Sequence, residues 1–199
     1  MRAPCAATSV LASIVWLICV HAAWLWPSVA SVVIVKARGG STASLEAYSV
    51  VVDAGSTGSR VHVFRLDRAS GHLLDEAEVE RTTTPGISAC AANRSLLPTL
   101  LGPLLSAAED AVPKGMQPAT LVTVQATAGL RLLPGQQAES ILQDVRGLLA
   151  RHRFRIGDVR VMSGAEEGTF QWLAVNTLLS SGSENVCGGG SAVVLDLGG

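Results

Sequence analysis

A short turn of small residues between two apolar segments constrains the fold more than any other part of the sequence. Residues 48–52 (YSVVV) predict a buried strand, and residues 60–66 alternate in the manner of a second strand. Between them, residues 54–59 (AGSTGS) have no bulky side chain. Gly55 and Gly58 permit positive φ angles, so that successive backbone N–H groups can face one point. This composition suits either a phosphate-binding turn or an ordinary hairpin turn.

Side chains in and beside the turn add chemistry to it. Ser56 and Thr57 supply hydroxyl donors, which suit a phosphate chain. Asp53, at the end of the first strand, would repel a bare phosphate unless a divalent cation or water lay between them. A second segment repeats the pattern, because Asp196 follows VVL and precedes LGG. Together the two segments favour a shared metal and phosphate site over two separately capped turns.

The N-terminal segment is strongly apolar. Residues 3–35 contain no Asp, Glu, Lys or Arg, and a bilayer is crossed by about 20 apolar residues. We expect residues 1–35 to be a signal anchor, with a signal peptide cleaved after Ser28-Val-Ala30 as the alternative. Charge does not decide the orientation, since Arg2 lies on one side and Lys36 and Arg38 on the other. Residues 36–46 read as a linker.

Composition excludes several function classes. The formal charge of −1 and the aromatic content of 4% argue against a nucleic-acid surface. The four cysteines form no CxxC pair, which argues against a zinc site. A Cys90–Cys187 disulfide is left open. Asn93-Arg94-Ser95 is a glycosylation sequon and favours a lumenal or extracellular position for the part of the chain after the leader.

The predicted elements describe an α/β domain. After the first two strands we expect a third, edge strand at 71–80, a loop at 82–92, and a helix at 96–112 that starts near Pro98 or is broken. Further strands are predicted at 120–126, 159–162 and, buried, at 192–197, with helical segments at 128–133, 137–152 and 164–179. Three successive strands followed by alternating helices and strands predict a mixed sheet.

Three further side chains are candidates for chemistry. Thr127 ends a predicted strand at the edge where open α/β sheets present ligand groups. Arg131 could meet a phosphate or hold a loop to the sheet. Glu166 and Glu167 begin a helix, where acidic residues are favoured by the helix dipole alone. Adjacent helix positions point about 100° apart, so at most one of the two carboxylates reaches a site, where it could polarise a water.

Four segments in order resemble the motifs of the apyrase family, the nucleoside triphosphate diphosphohydrolases and Golgi nucleoside diphosphatases. They are VVVDAGSTGSRVHVF (50–64), ATAGLRLL (126–133), SGAEEGTFQWLAVNTLL (163–179) and LDLGG (195–199). The resemblance implies an actin/sugar-kinase-like (RNase H-like) lobe, preceded by the hydrophobic N-terminal helix. It places the N-terminal lobe at residues 47–190 and the first strand of a truncated second lobe at 191–199.

The resemblance also implies site roles. Glu167 would be the general base. Phosphates would be held by small residues of the first and fourth motifs, namely Gly55, Ser56, Thr57, Gly58, Gly198 and Gly199. A Ca²⁺ or Mg²⁺ ion would be positioned, largely through water, by Asp53, Asp196 and Thr127. Supporting roles would fall to Arg60, Arg131, Trp172 and Asn176.

The implied function is hydrolysis of a nucleoside di- or triphosphate (GDP, UDP, ADP or ATP) to a lower phosphate and orthophosphate. We expect the chain to be a fragment with little activity alone, single-pass type II, facing the Golgi lumen or the outside, or secreted if the leader is cleaved. The alternatives are a non-catalytic anchored module that binds a nucleotide or a partner, and a sugar or acetate kinase or exopolyphosphatase. The sequence leaves the oligomeric state open.

Overall fold

A five-stranded mixed sheet organises the computed structural model, which describes residues 46–71, 73–181 and 192–195. The strands are β1 (Glu46–Ala54), β2 (Ser59–Asp67), β3 (Leu73–Thr83), β4 (Leu121–Ala126) and β5 (Arg155–Val161), in the order β3-β2-β1-β4-β5. The β1–β2 and β2–β3 pairs are antiparallel, whereas β1–β4 and β4–β5 are parallel. The predicted mixed α/β sheet, with the third strand at an edge, is confirmed.

The described residues contain four α-helices: α1 (Leu97–Ala111), α2 (Ala128–Arg131), α3 (Gly135–Leu149) and α4 (Gly164–Ser181). Helix α1 begins beside Pro98 as predicted and continues through Pro103 without a break. A proline inside a helix costs about 3 kcal/mol. That cost is offset by an apolar stripe at helical spacing, which buries Leu97, Leu100, Leu101, Leu104, Leu105 and Ala108.

The hydrophobic core lies on one face of the sheet. Alternate residues of β1, such as Val50, Val52 and Ala54, and of β2, such as Val61 and Val63, are at most 1% exposed. Helix α1 packs against β2 and β3, and α3 packs against β5. The strand alternation and the helical stripes therefore converge on one apolar layer, which fixes the central strands and the turns at their ends.

Three sequence predictions need correction. The predicted loop at 82–92 is partly ordered, because β3 runs on to Thr83 and Ile87–Ala91 forms a 3-10 helix that buries Ile87 and Cys90. Strand β5 begins at Arg155 rather than at 159. The predicted buried strand at 192–197 is wrong for residues 192–195, which have no strand assignment. Val193 and Leu195 are 85% and 84% exposed there.

The chain divides into two compact units, which are described separately. Of the described residues, those from 46 to 164 form the sheet unit, and 165–181 with 192–195 form the α4 unit. The predicted leader at 1–35 and most of the linker lie outside the described residues. Among the residues that are described, none of the helices has the length and apolar character needed to span a bilayer.

Cys90 is buried in the sheet unit, and its sulfur forms no disulfide within the described residues. Burial raises the pKa of this thiol, with a further rise from the charge of Asp144 and an opposing effect from Arg94. Cys187, its proposed disulfide partner, lies outside the described residues. The disulfide therefore stays an open prediction.

Candidate functional site

The small-residue turn joins β1 to β2 through four residues, Gly55 to Gly58. The flanking strands are paired up to its ends, with Asp53 opposite Arg60 and Ala54 opposite Ser59. Thr57 is exposed, and Ser56 is half-buried. The turn is thus a short surface connection whose ends are fixed by two central strands, and it carries hydroxyls that solvent reaches.

Close backbone approach holds the turn in place. A Cβ atom on Gly86 would lie 2.5 Å from the carbonyl oxygen of Gly55 and 2.6 Å from that of Ser56. Gly86 has a φ of −64°, which any residue adopts, so the close approach and not the backbone angle requires glycine here. The loop that follows β3 is therefore packed directly against the turn.

A second segment contacts the turn from the start of α2. A Cβ atom on Gly129 would lie 3.0 Å from the Cα atom of Ser56, and one on Gly58 would lie 2.6 Å from the carbonyl oxygen of Thr83. The turn is consequently enclosed by the end of β3, the loop at Gly86 and the first turn of α2. Sequence reasoning missed Gly86, although the Pro85-Gly86 dipeptide marks a turn.

Thr127 lies at the same sheet edge as Asp53. The parallel pairing of β1 with β4 sets Ala54 beside Ala126. The amide nitrogen of Thr127 donates to the carbonyl oxygen of Ala54 at 3.2 Å, and the Thr127 carbonyl accepts from the amides of Leu130 and Arg131. Parallel strands have their carboxyl ends at the same end of a sheet, which is why Ala54 and Thr127, although distant in sequence, are hydrogen-bonded here.

Arg131 has a structural contact. Its Nη1 donates to the carbonyl oxygen of Met162 at 2.9 Å, just beyond the end of β5. The amide of Met162 in turn donates to the carbonyl oxygen of Ala126 at 2.7 Å. Of the two roles expected for Arg131, holding a loop to the sheet agrees with this contact, although the acceptor is a carbonyl.

A polar row crosses the sheet at the level of Asp53. The strand registers place Arg60, Asp53, Gln125 and Arg160 side by side on β2, β1, β4 and β5. Directly paired residues share one face of a sheet, so this row lies on the face opposite Val52 and Ala54. Sequence reasoning did not single out Gln125. The register of β4 against β1 would have revealed it, because that register pairs Gln125 with Asp53.

Gln125 contributes an available oxygen to this row. It is 7% exposed, and its Nε2 donates to Oδ2 of Asp158 at 3.3 Å. Its Oε1 has no hydrogen-bond partner within the part of the chain that the structure describes. A buried amide oxygen is normally satisfied, by water if not by protein. Hydrated Ca²⁺ and Mg²⁺ ions are bound by oxygen atoms and by hydrogen bonds to their waters. Asp53, Gln125 and Thr127 supply oxygens of this chemical type at one end of the sheet.

A cage of several side chains is not found there. Within residues 46–71, 73–181 and 192–195, His, Cys, Asp and Glu form no group of three or more that could hold a metal ion. Asp196, Gly198 and Gly199 lie outside the described residues. Their position near Asp53 therefore stays a prediction.

The remaining candidates lie on α4, in the α4 unit. Glu166 and Glu167 occupy its first turn. Trp172 is 42% exposed. Asn176 donates from Nδ2 to the carbonyl oxygen of Trp172 at 2.8 Å, and its Oδ1 accepts from the amide of Ala192 at 2.7 Å. The supporting role expected for Asn176 thus has a local counterpart, since it joins α4 to the segment 192–195.

Comparison with known proteins identifies the family. The family model described as GDA1/CD39 (nucleoside phosphatase) matches residues 41–199. The chain belongs to this family. The resemblance to apyrases drawn from the four motifs is thereby confirmed at the level of family membership.

Several curated proteins are similar to about three quarters of the chain. An apyrase from Solanum tuberosum is 42% identical over 159 residues, which cover 77% of this chain and 35% of that protein. A nucleoside-triphosphatase from Pisum sativum is 41% identical, over 78% and 35%. Ectonucleoside triphosphate diphosphohydrolase 6 from Mus musculus is 39% identical, over 76% and 34%. The chain spans about a third of the length of these relatives.

A solved structure is also similar. It is a Ppx/GppA family member from Aquifex aeolicus, with a TM-score of 0.44 and 16% sequence identity. The match covers 68% of this chain and 41% of that chain.

Proposed function

We propose that this GDA1/CD39 chain contributes the phosphate-binding part of an enzyme that hydrolyses nucleoside di- or triphosphates to lower phosphates and orthophosphate. One observation carries the proposal: the glycine-packed turn at residues 55–58 lies at the sheet edge that Asp53 and Thr127 share. Membership of a nucleoside phosphatase family supports it. The strand order β3-β2-β1-β4-β5 supports the further proposal of an actin/sugar-kinase-like lobe.

In this proposal the turn binds phosphate. Backbone N–H groups of Gly55 to Gly58 and the hydroxyls of Ser56 and Thr57 donate to phosphate oxygens, and Gly198 and Gly199 act similarly. A turn that is fixed before the ligand arrives loses little conformational entropy on binding. The contacts of Gly86 and Gly129 with the turn supply that fixation.

A Ca²⁺ or Mg²⁺ ion is proposed as the cofactor. Asp53, Thr127 and Asp196 would hold it, largely through water, and Oε1 of Gln125, which has no partner among the described residues, is a further acceptor for such a water. When bound, the ion neutralises phosphate charge as a Lewis acid. Without it, the Asp53 carboxylate and the phosphate would repel one another.

Glu167 is proposed as the general base. Its carboxylate accepts a proton from a water whose oxygen attacks the terminal phosphorus. The bridging P–O bond breaks, and the shortened nucleotide leaves with the electron pair. The first turn of α4 carries both Glu166 and Glu167, but the two side chains point about 100° apart, so one carboxylate serves this role. We choose Glu167 for the role of general base because of the resemblance of residues 163–179 to the third apyrase motif.

The test is a chimera in which residues 41–199 replace the matching segment of the potato apyrase. We expect Glu167→Gln to lower the rate of phosphate release by about 10²–10⁴-fold, because a general base contributes that much. Glu166→Gln is the matched control and should have little effect. Turnover that survives Glu167→Gln would remove this residue from the mechanism.

The 199-residue chain alone should release little phosphate, since it spans about a third of the length of its relatives. That same fraction favours a second candidate, a non-catalytic membrane-anchored module that binds a nucleotide or a partner. Calorimetry with a nucleoside diphosphate and Ca²⁺ separates the two versions of this candidate. Saturable binding supports a nucleotide site, and its absence rejects one.

Location is part of the proposal. The uncharged residues 3–35 support a signal anchor, and the chain would be a single-pass type II protein facing the Golgi lumen or the cell exterior. Cleavage after Ser28-Val-Ala30 would instead release a secreted protein. Both versions place the sheet unit on the same side of the membrane.

A further inference from the structure

The sequence contains a single Asn-x-Ser/Thr sequon with a non-proline middle residue, at Asn93-Arg94-Ser95. The structure places all three residues at the surface of the sheet unit. They lie between the 3-10 helix Ile87–Ala91 and the start of α1, and Asn93 caps the short 3-10 helix Arg94–Leu96. A sequon is therefore presented on an exposed connection rather than buried in the core.

Within the described residues, the side-chain hydrogen bonds of Asn93 involve its oxygen Oδ1, so that its nitrogen Nδ2 is available to bond to a sugar. Oδ1 of Asn93 accepts from the backbone amide of Ser95 at 3.1 Å and from its hydroxyl Oγ at 2.7 Å. Both bonds use the carboxamide oxygen. Replacing one hydrogen on Nδ2 with a sugar therefore keeps both bonds and the cap that they form.

The middle residue of the sequon is fixed to a neighbouring helix. The guanidinium of Arg94 pairs with Oδ2 of Asp144 at 3.4 Å and donates to Oγ of Ser140, both on α3. Asn93 thus sits on a connection whose next residue is tied to α3, and a group added at Nδ2 extends from the folded surface.

We propose that Asn93 carries an N-linked glycan. Nδ2 attacks the anomeric carbon of an oligosaccharide carried on a lipid diphosphate. A C–N bond forms, the bond between that carbon and the diphosphate oxygen breaks, the lipid diphosphate leaves with the electron pair, and Nδ2 loses a proton. The modification rests on the lumenal orientation proposed above and is independent of hydrolase activity.

The glycan would also report orientation. Arg2 on one side of the apolar leader and Lys36 and Arg38 on the other leave the direction of insertion undecided. A sugar on Asn93 places the sheet unit in the lumen or outside the cell, because the lipid-linked donor acts on that side of the membrane.

The experiment uses the full 199-residue chain, translated with microsomal membranes and treated with a peptide N-glycosidase. We expect one glycan on the unaltered chain, loss of that glycan in Asn93→Gln and Ser95→Ala, and retention in Ser95→Thr. Ser95→Ala is the milder change, because the backbone amide of residue 95 still bonds to Asn93. Since the shift is read on the nascent chain, a folding defect does not obscure it.

A control sequon separates rejection of the site from failure of translocation. Arg68→Asn creates Asn-Ala-Ser at residues 68–70, in an exposed turn of the same unit. It is introduced together with Asn93→Gln. A glycan on the control but none on the unaltered chain overturns the proposal for Asn93. A glycan on neither chain overturns both the proposal and the lumenal orientation, and leaves the hydrolase proposal standing.

Discussion

Two segments with nearly the same sequence differ in structure over their described residues, 50–55 and 193–195. Residues 50–55 read VVVDAG and residues 193–198 read VVLDLG. The valines of the first are at most 1% exposed, whereas Val193 and Leu195 are 85% and 84% exposed. An apolar run that ends in Asp and Gly can therefore form a buried strand, but whether it does depends on the segments of the protein that pack around it.

The neighbours differ in a way that accounts for this. Strand β1 is paired along both edges, with β2 on one side and β4 on the other. In the segment 192–195, Ala192 is hydrogen-bonded to the Asn176 side chain, and none of these residues belongs to a strand. Backbone groups gain a ladder when a second strand is adjacent, and apolar side chains gain burial when a helix covers them.

The largest expected effect concerns the packing around the first segment. Gly86→Ala places a methyl group 2.5 Å from the Gly55 oxygen and 2.6 Å from the Ser56 oxygen, and backbone atoms cannot rotate away. We expect the free energy of unfolding in urea to fall by about 3 kcal/mol.

Gly147→Ala is the matched control for that change. Gly147 is exposed in α3, and nothing lies within 4 Å of an added Cβ atom. This substitution should raise the free energy of unfolding by about 0.5–1 kcal/mol, because alanine favours the helix. Equal effects of the two substitutions would show that the Gly86 loop does not hold the turn.

The second expected effect compares the valines of the two segments directly. Val52→Ala removes two buried methyl groups and should lower the free energy of unfolding by about 2 kcal/mol. Val193→Ala changes an exposed side chain and should alter it by no more than about 0.5 kcal/mol. Denaturant titration of both variants measures the contrast. A loss at Val193 as large as that at Val52 would contradict the difference between the segments.

The smallest expected effect concerns the contact that holds the second segment. Asn176→Leu removes the acceptor for the Ala192 amide, and one such hydrogen bond is worth about 1 kcal/mol. Hydrogen exchange at the Ala192 amide should therefore accelerate about fivefold. Asn176→Asp keeps the oxygen and should preserve more of the protection. Unchanged exchange in Asn176→Leu would mean that Ala192 is held by something else.

The sequence predicted the features of the fold that depend on local residue patterns. The central strands, the continuous apolar stripe of α1 and the edge position of β3 follow from alternation, helical spacing and polarity. The position of Asp53 and Thr127 at the same end of the sheet was also predictable, since parallel strands have their carboxyl ends at one end of a sheet.

The parts that escaped prediction depend on tertiary contacts. Gly86 matters because a backbone from elsewhere in the sheet unit passes beside it, and a single sequence does not state which glycine meets which carbonyl. Gln125 lies beside Asp53 through the register of β1 against β4. The segment 192–195 failed as a predicted strand because apolar composition does not reveal whether a partner strand is adjacent.

The contacts of Gly86 and Gly129 with the turn have a mechanical consequence. Residues 55–58, the loop after β3 and the first turn of α2 pack so closely that Gly86 and Gly129 leave no room for an added methyl group between them. If the turn binds phosphate as proposed, adaptation to substrates of different size is expected from exchange of the Ser56 and Thr57 side chains, or from surfaces beyond this junction, rather than from flexing of the turn.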